Sequence, residues 1–220
     1  MTNLFSIFDP HTSLNYSLNW FGMFIPLIFI PNQLWVKKTK TMIFFLIVNK
    51  FIIKEFKTLK KNKIMNIFIL MSLFFMIVTT NFLGLFPYTF TPSSHLSMTM
   101  PLSLTLWLSI MMFNWINKTN LAFAHLVPLS TPPPLMMFMV IIESISNIIR
   151  PLTLAVRLTA NMIAGHLLLC LLGSTGPALS EMPLMMLIIT QIALYTLEMA
   201  VSIIQAYVFM TLMSLYMNEL

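Results

Sequence analysis

Glu143, Arg150, Arg157, His166 and Glu198 are charged or titratable residues standing inside long apolar runs of this sequence. A charge held at membrane depth is costly and marks a functional site by default. Glu143, Arg150 and Arg157 are each seven residues apart. Seven helical residues complete almost two turns, so the three share one face of a helix. Asn147 and Asn161 fall close to the same stripe. Glu198 and Gln205 are also seven apart and share a face of their own. The chemistry open to such a set is proton transfer. Carboxylates and imidazoles take up and release protons, whereas an arginine cannot shed its charge.

Each residue also has a plain structural reading. Arg150, next to Pro151, can simply pair with Glu143 on the same face. Glu198 can be a buried carboxylate bonded to a neighbouring helix, and His166 a packed core histidine. Asn161 and Gln205 can serve only to hold helices together. Arg157 is the hardest to read this way, because no acidic residue lies within ten positions of it. It needs a partner, and the partner can belong to another chain. His166 lies nine residues beyond Arg157 and points away from the stripe on an ideal helix. A bend would change that, so spacing leaves its direction open.

The elements that must position these groups follow from composition. The chain is 58% hydrophobic and 8% charged, against roughly 25% charged in soluble domains. A water-soluble fold of this length could not cover itself with polar surface, so an all-α integral membrane protein is expected. The net charge of +6 is local, since nine of the twelve basic residues lie between Lys37 and Lys63. That pattern marks the positive-inside face of a membrane. It does not suit a nucleic-acid binder, whose basic residues spread over a folded face. The single cysteine, Cys170, excludes an internal disulfide and a thiolate metal site. His11, His95, His125 and His166 are widely separated, and no cofactor is expected. The N-terminus has neither a signal-peptide pattern nor an Arg-rich transit pattern, so the chain is expected to insert as made.

The apolar runs predict about five spans and one in-plane helix. The first span is 14–35, broken by Pro26 and Pro31, with Trp20 and Trp35 near the two interfaces. Over 42–62, Lys50, Lys54, Lys57 and Lys61 recur at helical spacing while Ile52, Phe56 and Leu59 fall opposite. This predicts an amphipathic helix lying on the membrane surface. Spans 64–86 and 97–116 follow, with a polar loop at 88–96 between them. Residues 117–134 read as a connector, with Thr131 as an N-cap before the Pro132–Pro134 run. The stretches 135–172 and 178–217 flank a turn punctuated by Gly173, Gly176 and Pro177. At ~1.5 Å per residue, 40 residues of helix measure about 60 Å, twice the ~30 Å hydrocarbon core. A strongly tilted hairpin is expected, or breaks at Pro151 and Pro183. The lysines place 36–63 inside, the N-terminus outside and the C-terminus inside.

The stretch NIIRPLTLAVRLTANMIAGHLLL (147–169) resembles the signature helix of the subunit a family of rotary ATP synthases. LEMAVSIIQAYVFMTLMSLYMNEL (197–220) is similar to that family's last helix, and NFLGLFPYTFTPSSHLS (81–97) to its middle loop. The short form looks mitochondrial. The resemblance implies an inner-membrane, multi-pass, non-catalytic subunit with its N-terminus in the intermembrane space and its C-terminus in the matrix. It implies as partners a ring of proton-carrying c subunits, the peripheral stalk and other small membrane subunits. Arg157 would face the ring. Glu143 would line a half-channel open to the matrix, and His166 and Glu198 one open to the intermembrane space. Asn161 and Gln205 would be polar neighbours of the arginine.

Two other classes fit less well. A small-solute transporter usually shows more spans or a visible repeat. A haem-bearing anchor needs paired histidines on facing spans, and His95 and His125 fall in predicted connectors.

Overall fold

The computed structural model describes residues 4–12, 16–29, 37–59, 64–86, 89–117, 119–127 and 132–219. Its helices are α1 (Ile25–Phe29), α2 (Lys40–Leu59), α3 (Ile64–Gly84), α4 (Leu96–Asn117), α5 (Thr119–His125), α6 (Met136–Thr175) and α7 (Glu181–Glu219). Short 3-10 turns lie at Leu4–Phe8, Leu18–Phe24, Pro92–Ser94, Pro133–Leu135 and Gly176–Ala178. Among the described residues, α3, α4, α6 and α7 are long and apolar enough to cross a membrane. The fold is that of an all-α membrane protein.

The region read as a first span holds the 3-10 turn Leu18–Phe24 running into α1. Pro26 is tolerated there because it sits in the first turn of α1, where its missing N–H costs nothing. Residues 30–36, including Pro31 and Trp35, lie outside the described residues, as does Thr131. In α2, Ile52 and Phe56 are buried while Lys50 and Lys54 are exposed, the two-faced distribution of an amphipathic helix. Residues 60–63 are outside the described set. The connector after α4 contains the short helix α5, which sequence reasoning did not anticipate. Four of its first turn's flanking residues, Asn117 to Asn120, are polar, and polarity alone read as a loop.

The core joins α3, α6 and α7, with the end of α2 laid against it. Phe56, Leu70, Ile77, Leu154, Leu158, Phe209, Met210 and Met213 are buried together. In lipid there is no hydrophobic drive between helices, so close packing must do the work. Small side chains allow it: Ala155, Ala206, Ser103, Ser202 and Ser214 are almost completely buried at helix contacts. Their hydroxyls are satisfied on their own helices. Ser202 Oγ donates to the Met199 carbonyl at 2.7 Å and Ser214 Oγ to that of Thr211 at 2.8 Å. A serine thus packs like an alanine without leaving a polar atom unpaired. Packing is equally tight where α3 ends. A Cβ on Gly84 would lie 2.7 Å from Thr91 Cγ2, so the absent side chain lets the following loop fold back.

The polar loop that follows α3 is packed against the helices. Pro92, Ser93 and Ser94 are buried and lie against α3, α4 and α6. The hydroxyl of Ser94 can be buried because it bonds with Thr91. Thr91 Oγ1 donates to Ser94 Oγ at 3.0 Å, and Ser94 Oγ to the Thr91 carbonyl at 2.7 Å.

Helix α6 continues unbroken through Pro151, and α7 accommodates Pro183 in its first turn. With 40 and 39 residues, each helix is about twice as long as an upright crossing requires.

Candidate functional site

The face that α6 buries is formed by Pro151, Leu154, Ala155, Leu158, Thr159 and Met162. This 3-4 spacing is what a packed helical stripe demands. Arg157 lies off that stripe and is exposed. Among the described residues it has no carboxylate partner. The chain therefore presents a permanent cation outward from an apolar helix.

One turn further along, Asn161 Nδ2 donates to Gln205 Oε1 across the α6–α7 interface at 3.0 Å. The bond ties the two long helices together beside the root of Arg157. Replacing Asn161 and Gln205 by leucine, singly and together, should reveal a coupling of about 0.6 to 1.7 kcal/mol in hairpin stability. Detergent-induced unfolding of the purified chain measures it. A coupling indistinguishable from zero would show that the bond does not hold the helices.

Two turns away on α7, Glu198 is buried against Gly165 of α6. A Cβ on Gly165 would stand 2.8 Å from Glu198 Oε1 and 2.9 Å from its Cδ. Only a glycine lets the carboxylate lie on the helix backbone. Among the described residues, both Glu198 oxygens are enclosed without a hydrogen-bond donor, and Nε2 of His166, next to Gly165, without a partner. The His166 ring meets Phe8 edge-on, with centroids 6.4 Å apart, so the N-terminal turn Leu4–Phe8 reaches this end of α6. The structure thus brings His166 and Glu198 to one level of the hairpin, a relation that spacing had left open.

At the other end of α6, Arg150 and Glu143 form an ion pair of 3.9 Å, each about one-third exposed. The Arg150 guanidinium also lies over the Tyr216 ring, 5.2 Å from its centroid. A cation held over an aromatic face is attracted by the ring quadrupole. Arg150 therefore links Glu143 to the end of α7, and its plain structural reading is the one the geometry supports. Glu143 precedes Arg157 by 14 residues, about 21 Å of helix. His166 follows by nine, about 13 Å. Titratable groups stand at two levels with Arg157 between them.

Three further polar residues were not singled out from the sequence. Among the described residues, both amide atoms of Asn81, Oγ of Ser93 and Nε2 of His95 are enclosed without a partner. The His95 ring is held between Trp20 and Phe90, with centroids 5.3 and 5.2 Å away. Enclosed polar groups of this kind are the ones that ordered water satisfies. The one advance signal was Asn81 itself, an amide near the end of an apolar run. Ser93 and His95 were hidden by the apparent polarity of their loop.

Comparison with known proteins places the chain in a family. Residues 16–218 match the family described as ATP synthase A chain. The chain is 55% identical over 221 residues to ATP synthase subunit a of Drosophila yakuba, covering 100% of this chain and 99% of the relative. It is 56% identical over 223 residues to ATP synthase subunit a of Aedes albopictus, with the same coverage. Against ATP synthase subunit a of Locusta migratoria the identity is 54% over 222 residues, again at 100% and 99%. With the family match spanning nearly its whole length and full-length relatives above half identity, the chain belongs to the ATP synthase A chain family.

Proposed function

We propose that Arg157 faces the proton-carrying carboxylates of a ring of c subunits and separates two offset half-channels. Membership of the family makes this chain a proton-translocating subunit of the membrane sector, multi-pass in the mitochondrial inner membrane. The proposal concerns how its residues do the work. The observation that carries it is the outward Arg157, without a carboxylate partner among the described residues and flanked at two levels by titratable groups.

A ring carboxyl in lipid is neutral, because burial disfavours the charged form. As it turns toward Arg157, the fixed cation favours its ionisation. At about 4 Å and an effective dielectric near 20, the attraction is about 4 kcal/mol. The proton leaves on the matrix side past Glu143. The carboxylate passes the arginine and is reprotonated from the intermembrane-space side, by way of His166 and Glu198. Asn161 and Gln205 fix the helix backbone from which Arg157 projects. Neutral again, the carboxyl re-enters lipid. Each proton falling through 100 mV supplies about 2.3 kcal/mol, which turns the rotor and drives ATP synthesis elsewhere in the complex. The cation also bars direct leakage between the two paths. No covalent bond is made or broken on this chain beyond the transfer of protons, so its role is non-catalytic.

In this reading the N-terminus lies in the intermembrane space and the C-terminus in the matrix. Helix α2 rests on the matrix surface with its lysines in water. The peripheral stalk and other small membrane subunits hold the chain against the rotor's torque.

Proximity crosslinking tests the central contact. A cysteine at Asn161 in a Cys170→Ser background, with a second beside the ring carboxylate, should form a disulfide on oxidation in native membranes and stop rotation. An intact, active complex without a crosslink would mean that this face of α6 looks elsewhere.

A further inference from the structure

Between the segment Leu18–Phe29, helix α2 and helix α3 lies a cavity of about 730 Å³, whose lining includes none of the candidate-site residues. That volume is in the ~300–1,000 Å³ range of small-ligand sites. Leu27, Phe45, Ile53, Met71 and Phe75 form its walls. Ser72 and Thr79 also border it. Their hydroxyls are spent on their own helix, donating to the Ile69 and Phe75 carbonyls at 2.8 and 2.6 Å. The walls therefore offer hydrocarbon contact and little for water to bind, and apolar cavities of this kind do not hold water.

The polar exceptions lie on one helix. Asn49 and Lys50 of α2 border the cavity. Lys50 is exposed and, among the described residues, has no acidic partner. Lys54, one turn on, is also exposed. The surrounding stretch 37–63 holds nine lysines and a single acidic residue, Glu55. An occupant here must be apolar along its length and negative at one end. An apolar helix of a partner subunit would satisfy the walls and leave the lysines uncompensated. An acyl chain carrying a phosphate satisfies both.

We propose that this cavity binds an anionic phospholipid. One acyl chain lies between Leu27, Phe45, Met71 and Phe75, and the headgroup phosphate sits on the Lys50 ammonium with Lys54 within the same field. A lysine near an anionic membrane surface contributes enough to change lipid occupancy about fivefold.

The test uses the intact complex in vesicles containing a trace of phospholipid with a diazirine on its acyl chain, prepared once with a phosphatidylglycerol head and once with a phosphatidylcholine head. Irradiation should label the α3 peptide containing Met71 and Phe75, with the glycerol probe strongly preferred. Lys50→Gln should lower that labelling about fivefold and leave the choline background unchanged. Leu27→Trp, which fills the cavity from a different element, should abolish labelling by both probes. Equal labelling by the two heads, or a preference that survives Lys50→Gln, overturns the charge selection and with it the proposal. Absence of lipid labelling in the unaltered complex, with a neighbouring subunit crosslinking at Met71 instead, overturns it as well.

Discussion

Arg157→Gln should leave the complex assembled and abolish both proton-driven ATP synthesis and ATP-driven pumping. The side chain is exposed on α6 and has no acidic partner among the described residues, so neutralising it breaks no ion pair within the chain. What disappears is the attraction that ionises the ring carboxyl. A loss of about 4 kcal/mol corresponds to nearly three decades in an equilibrium, enough to push turnover below detection. Arg157→Lys should recover part of the activity at most, because an ammonium restores the charge without the planar fork. Acidification of reconstituted vesicles on adding ATP measures the effect. Normal coupled pumping by the glutamine variant would remove Arg157 from the mechanism.

Glu198 gives the second large effect, and its stability and flux should move in opposite directions. The carboxylate is buried, and among the described residues both its oxygens lack a donor. Replacing such a group with an apolar one of similar shape is close to neutral or stabilising. Glu198→Leu should therefore assemble at least as well as the natural chain. Proton flux through it should fall on the order of a hundredfold, the contribution of a positioned proton-transfer group. Gly165→Ala tests the same site without touching its charge. The new methyl would stand 2.8 Å from Glu198 Oε1, and the flexible carboxylate must swing away. An overpacking cost of ~1–3 kcal/mol makes a tenfold fall in flux the expected size, since tenfold is about 1.4 kcal/mol. Flux unchanged in both variants would leave Glu198 with a structural role only.

The lipid-embedded, all-helical character was legible in the composition, because 8% charge cannot clothe a soluble domain of this length. The grouping of Glu143 with Arg150 was legible too, since a spacing of seven fixes a shared face whatever the helix packs against. Relations between helices were not. Whether His166 and Glu198 stand at one level depends on how α6 and α7 are set against each other. The structure fixes that setting through the bare backbone of Gly165 and the Asn161–Gln205 bond, and neither can be weighed from one helix alone. The 88–96 loop misled for another reason. Polar residues count as solvated in a sequence, yet Thr91 and Ser94 bond each other and so can be buried. Where hydroxyls can pair off, polarity no longer reports exposure, and Ser93 and His95 were overlooked with them.

Pro151 inside α6 has an effect on the main chain itself. Proline supplies no N–H, so the carbonyl of Asn147 loses its helical donor. A main-chain oxygen is thereby set free between Glu143 and Arg157, on the half of the helix where no other backbone acceptor is released by a proline. A freed carbonyl in such a place needs a hydrogen from elsewhere. The backbone thus offers a hydrogen-bond acceptor of its own at this level of α6. That contribution cannot be removed by substituting Asn147, because it belongs to the peptide bond and to the missing hydrogen four residues later.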